Sequence, residues 1–184
     1  TARAWLADIP DPAAAVVAAS PAAPVDAYGD SPELFVRALA PLAGEAAERL
    51  GTRPEVLLAQ AALETGWGRH VIAAQGGSSH NLFGIKAGGS WQGPVASVRT
   101  VEYVDGLMTT ERAAFRAYAD PAARFADYTA LIGERPRYAS VRAAGRDVAG
   151  WAQALQAAGY ATDPRYAEKI VSIAERITQM DVKL

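Results

Sequence analysis

The sequence predicts an α+β domain, in which a mostly helical lobe and a small β-hairpin lobe form a substrate cleft. Three observations lead there. Apolar residues recur with helical period from Ser31 to Gly66 and again after Asp120. Between these blocks, Val95 to Val104 alternates β-branched and polar residues and runs into Asp105-Gly106, a hairpin turn signal. A lone hairpin cannot bury its own face, so it must lie against the helices.

The elements follow in order. Ile9-Pro10-Asp11-Pro12 and Ser20-Pro21-Ala22-Ala23-Pro24 make residues 1–30 a proline/alanine-rich linker, because closely spaced proline favours extended backbone. The domain is expected over residues 31–184. Ser31-Pro32-Glu33 reads as a helix cap followed by Leu34, Phe35, Ala38, Leu39 and Leu42, with Pro41 a kink position. A second helix starts at Thr52-Arg53-Pro54-Glu55, again a cap followed by proline, and stops at Gly66, where glycine takes the left-handed conformation. The return strand of the hairpin is placed at Thr109 to Tyr118. Helical spacing then resumes through Phe125, Tyr128, Leu131 and Ile132, and again through Val148, Trp151 and Leu155 to Gly159. Asp163-Pro164 is read as the cap of a last helix carrying Ile170, Ile173, Ala174 and Ile177.

Composition narrows the chemistry. The 184 residues suit one domain with a tail, and 51% hydrophobic with 21% charged residues excludes wholesale disorder. The net charge of −2 offers no electrostatic footprint for nucleic acid or an anionic membrane. Residues 1–30 hold four aspartates and one arginine, so the acidity belongs to the tail and the body is nearly neutral. No apolar stretch is long enough to cross a bilayer. Zero cysteines remove disulfides, thiolate–zinc sites and a cysteine nucleophile, and His70 and His80 lack a third ligand at metal spacing. Ala13 to Ala19 has no basic flank and is not read as an export signal. The start at Thr1 is read as a piece or processed form of a longer chain. Carboxylates, hydroxyls and amides are left to do the work, without cofactor or metal.

Among them Glu64 stands out. It closes an apolar helix, where the helix dipole and poor solvation both oppose ionisation, and a carboxylic acid kept neutral is what a general acid requires. Spacing alone leaves open a solvated glutamate on a polar helix face. Glu102 alternates onto one strand face with Val98 and Thr100, either as a second carboxylate across a cleft or as an ordinary exposed residue. Asp127, between Phe125 and Tyr128, is a third acidic candidate; a surface or helix-buttressing role is its alternative. Trp67, Trp91, Tyr103, Tyr138 and Tyr160 supply flat faces suited to a sugar groove, although aromatic residues as often fill a core. Trp67, Asn81, Trp91, Tyr103 and Tyr138 are the candidate substrate contacts. Trp151, inside a periodic helix, is assigned to the core.

Five runs carry a resemblance. Leu58-Ala59-Gln60-Ala61-Ala62-Leu63-Glu64-Thr65-Gly66-Trp67-Gly68 is the first, followed by Asn81-Leu82-Phe83-Gly84-Ile85-Lys86 and Thr100-Val101-Glu102-Tyr103. Phe125-Ala126-Asp127-Tyr128 and Gly159-Tyr160-Ala161-Thr162-Asp163-Pro164-Arg165-Tyr166-Ala167 complete the set. In order and spacing they resemble glycoside hydrolase family 73. The resemblance implies a lysozyme-like fold and an endo-β-N-acetylglucosaminidase acting on the glycan strands of peptidoglycan. It implies Glu64 as the catalytic acid, Glu102 as the second carboxylate, Tyr160 in catalysis or substrate placement, and Asp127 as a further acidic position.

It also implies a flagellar member of that family, which would open the peptidoglycan layer for the rod. An N-terminal domain outside this sequence would then meet rod proteins. The parent protein would reach the periplasm through the flagellar export apparatus, without a cleaved signal peptide. A lytic transglycosylase of the same fold and a non-catalytic peptidoglycan-binding or rod-scaffolding module remain open alternatives. A carboxyl separation of about 5 Å suits a retaining nucleophile, and roughly 6.5–9.5 Å an inverting water. With a hairpin lobe that moves, a long separation without substrate is expected, hence a general base or participation by the substrate's acetamido group.

Overall fold

The run Val56-Leu57-Leu58-Ala59-Gln60-Ala61-Ala62 has no charged stripe, so a helix made from it must find partners on every side. In the computed structural model it does. Helix α2 (Pro54–Thr65) is buried continuously from Glu55 to Ala62. Around it pack α1 (Pro32–Leu50), α5 (Val148–Ala157) and α6 (Tyr166–Thr178), while α3 (Pro121–Glu134) lies on α1 and α4 (Ala139–Ala144) on α5. The structure describes residues 28, 31–74, 77–88, 90–104 and 107–184, with backbone alone for 77, 99–104 and 107–111. Apart from Tyr28, the expected linker at residues 1–30 lies outside them.

The helix ends show what local sequence decides. Ser31 Oγ accepts from the Leu34 amide at 3.2 Å, Pro32 opens α1, and Gly51 closes it at φ +68°. Leu34 departs from the expected apolar face and is exposed. At α2 the expected cap at Thr52 is not made. Arg53 takes the cap position with no side-chain hydrogen bond to the helix, and its guanidinium instead pairs with Glu55 at 2.6 Å. Asp120 caps α3 through the Ala123 amide at 2.8 Å. Asp163-Pro164 does not cap α6. Asp163 accepts from the Arg165 amide at 2.9 Å within a turn, so the helix begins only at Tyr166.

The hairpin joins β3 (Val95–Val104) to β4 (Leu107–Arg116) in antiparallel register, from Val95 opposite Arg116 to Val104 opposite Leu107. The return strand starts two residues earlier than expected; the turn at 105–106 lies outside the described residues. Ala96, Ala113 and Phe115, on one face at the base, are buried. The body ties this base down: the Arg116 amide donates to Ile85 O and that of Tyr118 to Ser79 O, while Ala117 to Pro94 O continues the hairpin's own pairing, each at 2.9 Å. A second antiparallel pair, β1 (Ala73–Ala74) with β2 (Gly77–Ser78), is only two residues long. Trp151 is fully buried in the helical core beside Phe35, Leu39, Leu57, Leu58 and Ile170.

Candidate active site

Glu64 is the penultimate residue of α2, on the last turn before Gly66 reverses the chain at φ +56°. Thr65 fixes that reversal: its hydroxyl donates to Ala61 O at 2.7 Å and accepts from the Gly68 amide at 2.9 Å. Trp67 is held at φ +64°, a left-handed backbone that costs a non-glycine residue about 1–2 kcal/mol. Phe35 meets its ring edge-on at 6.0 Å and the Arg176 guanidinium lies 5.0 Å from the ring centre. The strained turn is thus pinned from α1 and α6.

The Glu64 carboxyl has two unlike edges. Oε1 accepts the Tyr166 hydroxyl at 2.9 Å. Oε2 faces Gly84, where a Cβ would come within 3.2 Å of it and where φ is +62°. Burial pushes the carboxyl up to about 7, and the Tyr166 hydrogen bond opposes that rise without cancelling it. Among the described residues, no cation is one of the groups that set it. Glu64 therefore holds or releases a proton near neutrality, which is the property a general acid needs.

Gly84 sits in a loop that is held on both sides. Asn81 Nδ2 donates to Ile85 O at 2.8 Å and to Arg116 O at 2.9 Å, and its Oδ1 accepts from the Ile85 amide at 3.0 Å. Phe83 stacks on Tyr128 with ring centres 4.1 Å apart and meets Phe125 edge-on at 5.2 Å. Tyr160 donates to Phe83 O at 2.7 Å. Because Ile85 and Asn81 both bond Arg116, this loop connects Glu64 to the base of the hairpin.

The other candidates separate clearly. Asp127 accepts from Arg116 Nη1 at 2.8 and 2.9 Å and from the Tyr118 hydroxyl at 2.7 Å, so it ties α3 to the strand end of the hairpin. Burial and the neighbouring Asp127 charge together push the Tyr118 hydroxyl far up. Two expected substrate contacts need correction. Tyr138 is fully buried, its ring 6.2 Å from that of Tyr160, and has no face to offer a ligand. Asn81 is buried with both its amide groups engaged by backbone, so it shapes the loop. Tyr160, counted from the sequence among the flat faces for a sugar, is also buried, with its hydroxyl turned inward.

Trp91 is half-buried. The Arg116 guanidinium lies 4.7 Å from its ring centre, and its Nε1 donates to Pro94 O at 2.9 Å. Glu102 pairs with Thr109 near the far end of the hairpin, with the strand parity of Ala96 and Val98. The side chains of Glu102 and Tyr103, and so the expected carboxyl separation, lie outside the described residues. Sequence reasoning missed Tyr166. Its signal was its place in the fifth run, two residues beyond the Asp163-Pro164 turn.

Comparison with known proteins decides the family. The glucosaminidase family, described as mannosyl-glycoprotein endo-beta-N-acetylglucosaminidase, matches residues 40–179. The chain belongs to this family. Peptidoglycan hydrolase FlgJ of Vibrio parahaemolyticus is 44% identical over 151 residues, covering 82% of this chain and 49% of its own length. Peptidoglycan hydrolase FlgJ of Pseudomonas aeruginosa is 45% identical over 148 residues, covering 80% of this chain and 37% of its own. The chain thus spans less than half the length of these relatives. Among solved structures, a peptidoglycan hydrolase mutant from Sphingomonas sp. A1 matches with TM-score 0.72 and 44% identity, over 80% of this chain and 99% of that one. A C-terminally truncated glycoside hydrolase domain from Salmonella typhimurium FlgJ matches with TM-score 0.68 and 41% identity, over 82% of this chain and all of that one. The family fold is the lysozyme-like α+β arrangement expected from the sequence. Among the described residues no helix is long and apolar enough to cross a membrane, and no cluster of acidic or histidine side chains suits a metal ion.

Proposed function

We propose that this chain is a peptidoglycan hydrolase domain, an endo-β-N-acetylglucosaminidase in which Glu64 is the general acid. The observation that carries the reading is the Glu64 carboxyl pushed up to about 7 by burial, with a hydroxyl donor on one oxygen and no compensating cation among the described residues. Protonated Glu64 gives its proton to the departing glycosidic oxygen as the bond to the anomeric carbon breaks. Positive charge then develops on the sugar ring. Glu102 meets that charge or activates the attacking water, or the substrate's own acetamido oxygen takes the first part. Water supplies the hydroxyl of the new reducing end, and Glu64 recovers its proton as the cycle closes. Asp127 holds the hairpin on α3, and Tyr160 holds the loop that faces Glu64.

The biological setting extends the reading. A domain of this kind in a flagellar protein would act in the periplasm, opening glycan strands where the rod passes, with rod contacts supplied by a part of the protein outside this chain. The resemblance of the chain to FlgJ proteins supports it.

Digestion of purified peptidoglycan, with product ends identified by mass spectrometry, tests the activity. Reducing N-acetylglucosamine ends are expected. Anhydro-muramic ends would identify a lytic transglycosylase, and no products a binding module. A Glu64→Gln variant that digests the wall at the parent rate would remove Glu64 from the acid role.

A further inference from the structure

Two tyrosines stand side by side at the candidate acid, and their hydroxyls do different things. The rings of Tyr160 and Tyr166 are 6.2 Å apart and nearly parallel, at 22°. Tyr160 gives its hydroxyl to a backbone carbonyl, Phe83 O, at 2.7 Å. Tyr166 gives its hydroxyl to Glu64 Oε1 at 2.9 Å, across 102 residues of sequence. Both rings are buried, so neither has a face free for a sugar.

The geometry gives the two carboxyl oxygens of Glu64 different neighbours. Oε1 points into the body, where the phenol occupies it. Oε2 lies against Gly84, in the loop that leads to the hairpin, where a Cβ would come within 3.2 Å of it. A phenol that donates to Oε1 places the proton of the neutral acid on the other oxygen.

We propose that Tyr166 is a positioning residue for Glu64, holding Oε1 so that the transferable proton is carried on Oε2 beside Gly84. This rests on the reading of Glu64 as the general acid. Tyr160 takes the complementary part: it holds the Phe83–Gly84 backbone against which Oε2 is presented, and it acts through that loop without touching the reacting atoms.

The groups around Glu64 make the assignment selective. From α6 comes the Tyr166 hydroxyl; from the segment before α6, Tyr160; from α3, Tyr128, which donates to Gln60 Oε1 at 2.5 Å one helical turn below Glu64. The loop at residues 81–85 places the Gly84 backbone beside Glu64 Oε2. Exposed His70 lies against Gly66 on the turn that follows, and Glu102 stands on the hairpin at its register position opposite Thr109. Burial keeps the Tyr166 hydroxyl far above its ordinary range, so it stays a donor at any working pH. Among the described residues Tyr166 alone makes a side-chain hydrogen bond to Glu64, and that bond favours the charged form.

Rates on soluble glycan strands, measured against pH, test this. In Tyr166→Phe we expect kcat to fall about tenfold with KM changed less than twofold. The alkaline limb of the profile should move up by about one pH unit, because a donor to the carboxylate is gone. Tyr160→Phe should lower the rate and leave the limb in place, and thermal melts of both variants check that each is folded. A limb that stays put in folded Tyr166→Phe overturns the proposal. Should that variant not fold, site-specific fluorotyrosine at 166, a stronger donor, should move the limb down, and an unmoved limb again overturns it. Failure of the underlying acid reading looks different, since Glu64→Gln would then keep its activity whatever Tyr166→Phe does.

Discussion

Glu64 and Asp127 are carboxylates on neighbouring parts of one fold, and they are treated in opposite ways. Asp127 receives two hydrogen bonds from a guanidinium and one from a phenol, so its charge is met and its geometry fixed. Glu64 receives one bond from an uncharged phenol and is otherwise desolvated at the end of a buried helix. Partnering of the first kind stabilises an anion and fastens two elements together. Partnering of the second kind leaves proton affinity high and the free oxygen available. The difference teaches that an acidic residue near a site is sorted by its donors, since both residues lie in runs that carry the family resemblance.

The largest effect is expected at Glu64. Glu64→Gln should lower wall digestion by about 10³-fold, the scale of a lost general acid. The same substitution should stabilise the fold at alkaline pH. In the folded chain the carboxyl is pushed up from 4.5 to about 7, so the folded state keeps a proton that the unfolded state releases between those values. Stability therefore declines as pH rises from about 4.5 through about 7, by an amount on the order of 3 kcal/mol. Denaturant melts of parent and Glu64→Gln at pH 4 and pH 8 check this: the decline should be present in the parent and smaller in the variant. Activity that needs the protonated acid should likewise fall away above about pH 7.

Asp127→Ala should do the reverse. It leaves Arg116, only 10% exposed, without its counter-charge, and the expected loss is about 2–3 kcal/mol of stability. At temperatures where the variant is folded, the alkaline limb of the pH profile should match the parent. A shifted limb with unchanged melting would move Asp127 from the fastening role to the chemistry and erase the contrast with Glu64.

Gly84→Ala comes next. A Cβ there meets Glu64 Oε2 at 3.2 Å and forces a left-handed φ of +62° on alanine. A stability loss of about 1–2 kcal/mol is expected from the backbone alone. The rate should drop further than the folded fraction does, because the crowded oxygen is the one proposed to carry the transferable proton. Melts and initial rates on the same preparation separate the two.

What the sequence made legible follows the range over which each feature is decided. Ser31-Pro32 and Gly66 act within one turn of a helix, and the structure uses them as read, while Gly51 and Asp120 cap their helices without having been singled out as caps. The all-round apolarity of α2 forces it into the centre, which put Glu64 at the end of a buried helix. Thr52 and Asp163 failed as caps for a local reason too: Arg53 finds Glu55, and Asp163 is committed to the turn before Tyr166. The Glu64–Tyr166 pair was not legible, because its partners are brought together by the packing of α2 on α6. Residue type also cannot tell which way an aromatic ring faces. Tyr138 and Trp91 were grouped together by chemistry, yet one is fully buried and the other is half-buried under a guanidinium.

Trp91 gives the smallest effect and the finest division between the two regions. Its ring carries the Arg116 guanidinium at 4.7 Å and meets Tyr118 edge-on at 5.7 Å, so it belongs with the Asp127 assembly by contact. A cation over a partly exposed ring contributes about 0.5–1 kcal/mol. Trp91→Leu should therefore cost roughly 1 kcal/mol in a denaturant melt and leave KM for glycan strands within twofold. Were the ring instead a platform for a sugar, KM would rise severalfold while the melt scarcely moved, since the exposed part of the ring would be the part that matters. Coupling settles which description holds. Combined with Asp127→Ala, the two stability losses should sum to more than the double variant shows, because Arg116 is shared between them. A strictly additive pair would separate Trp91 from the fastening cluster and return it to the substrate side of the comparison.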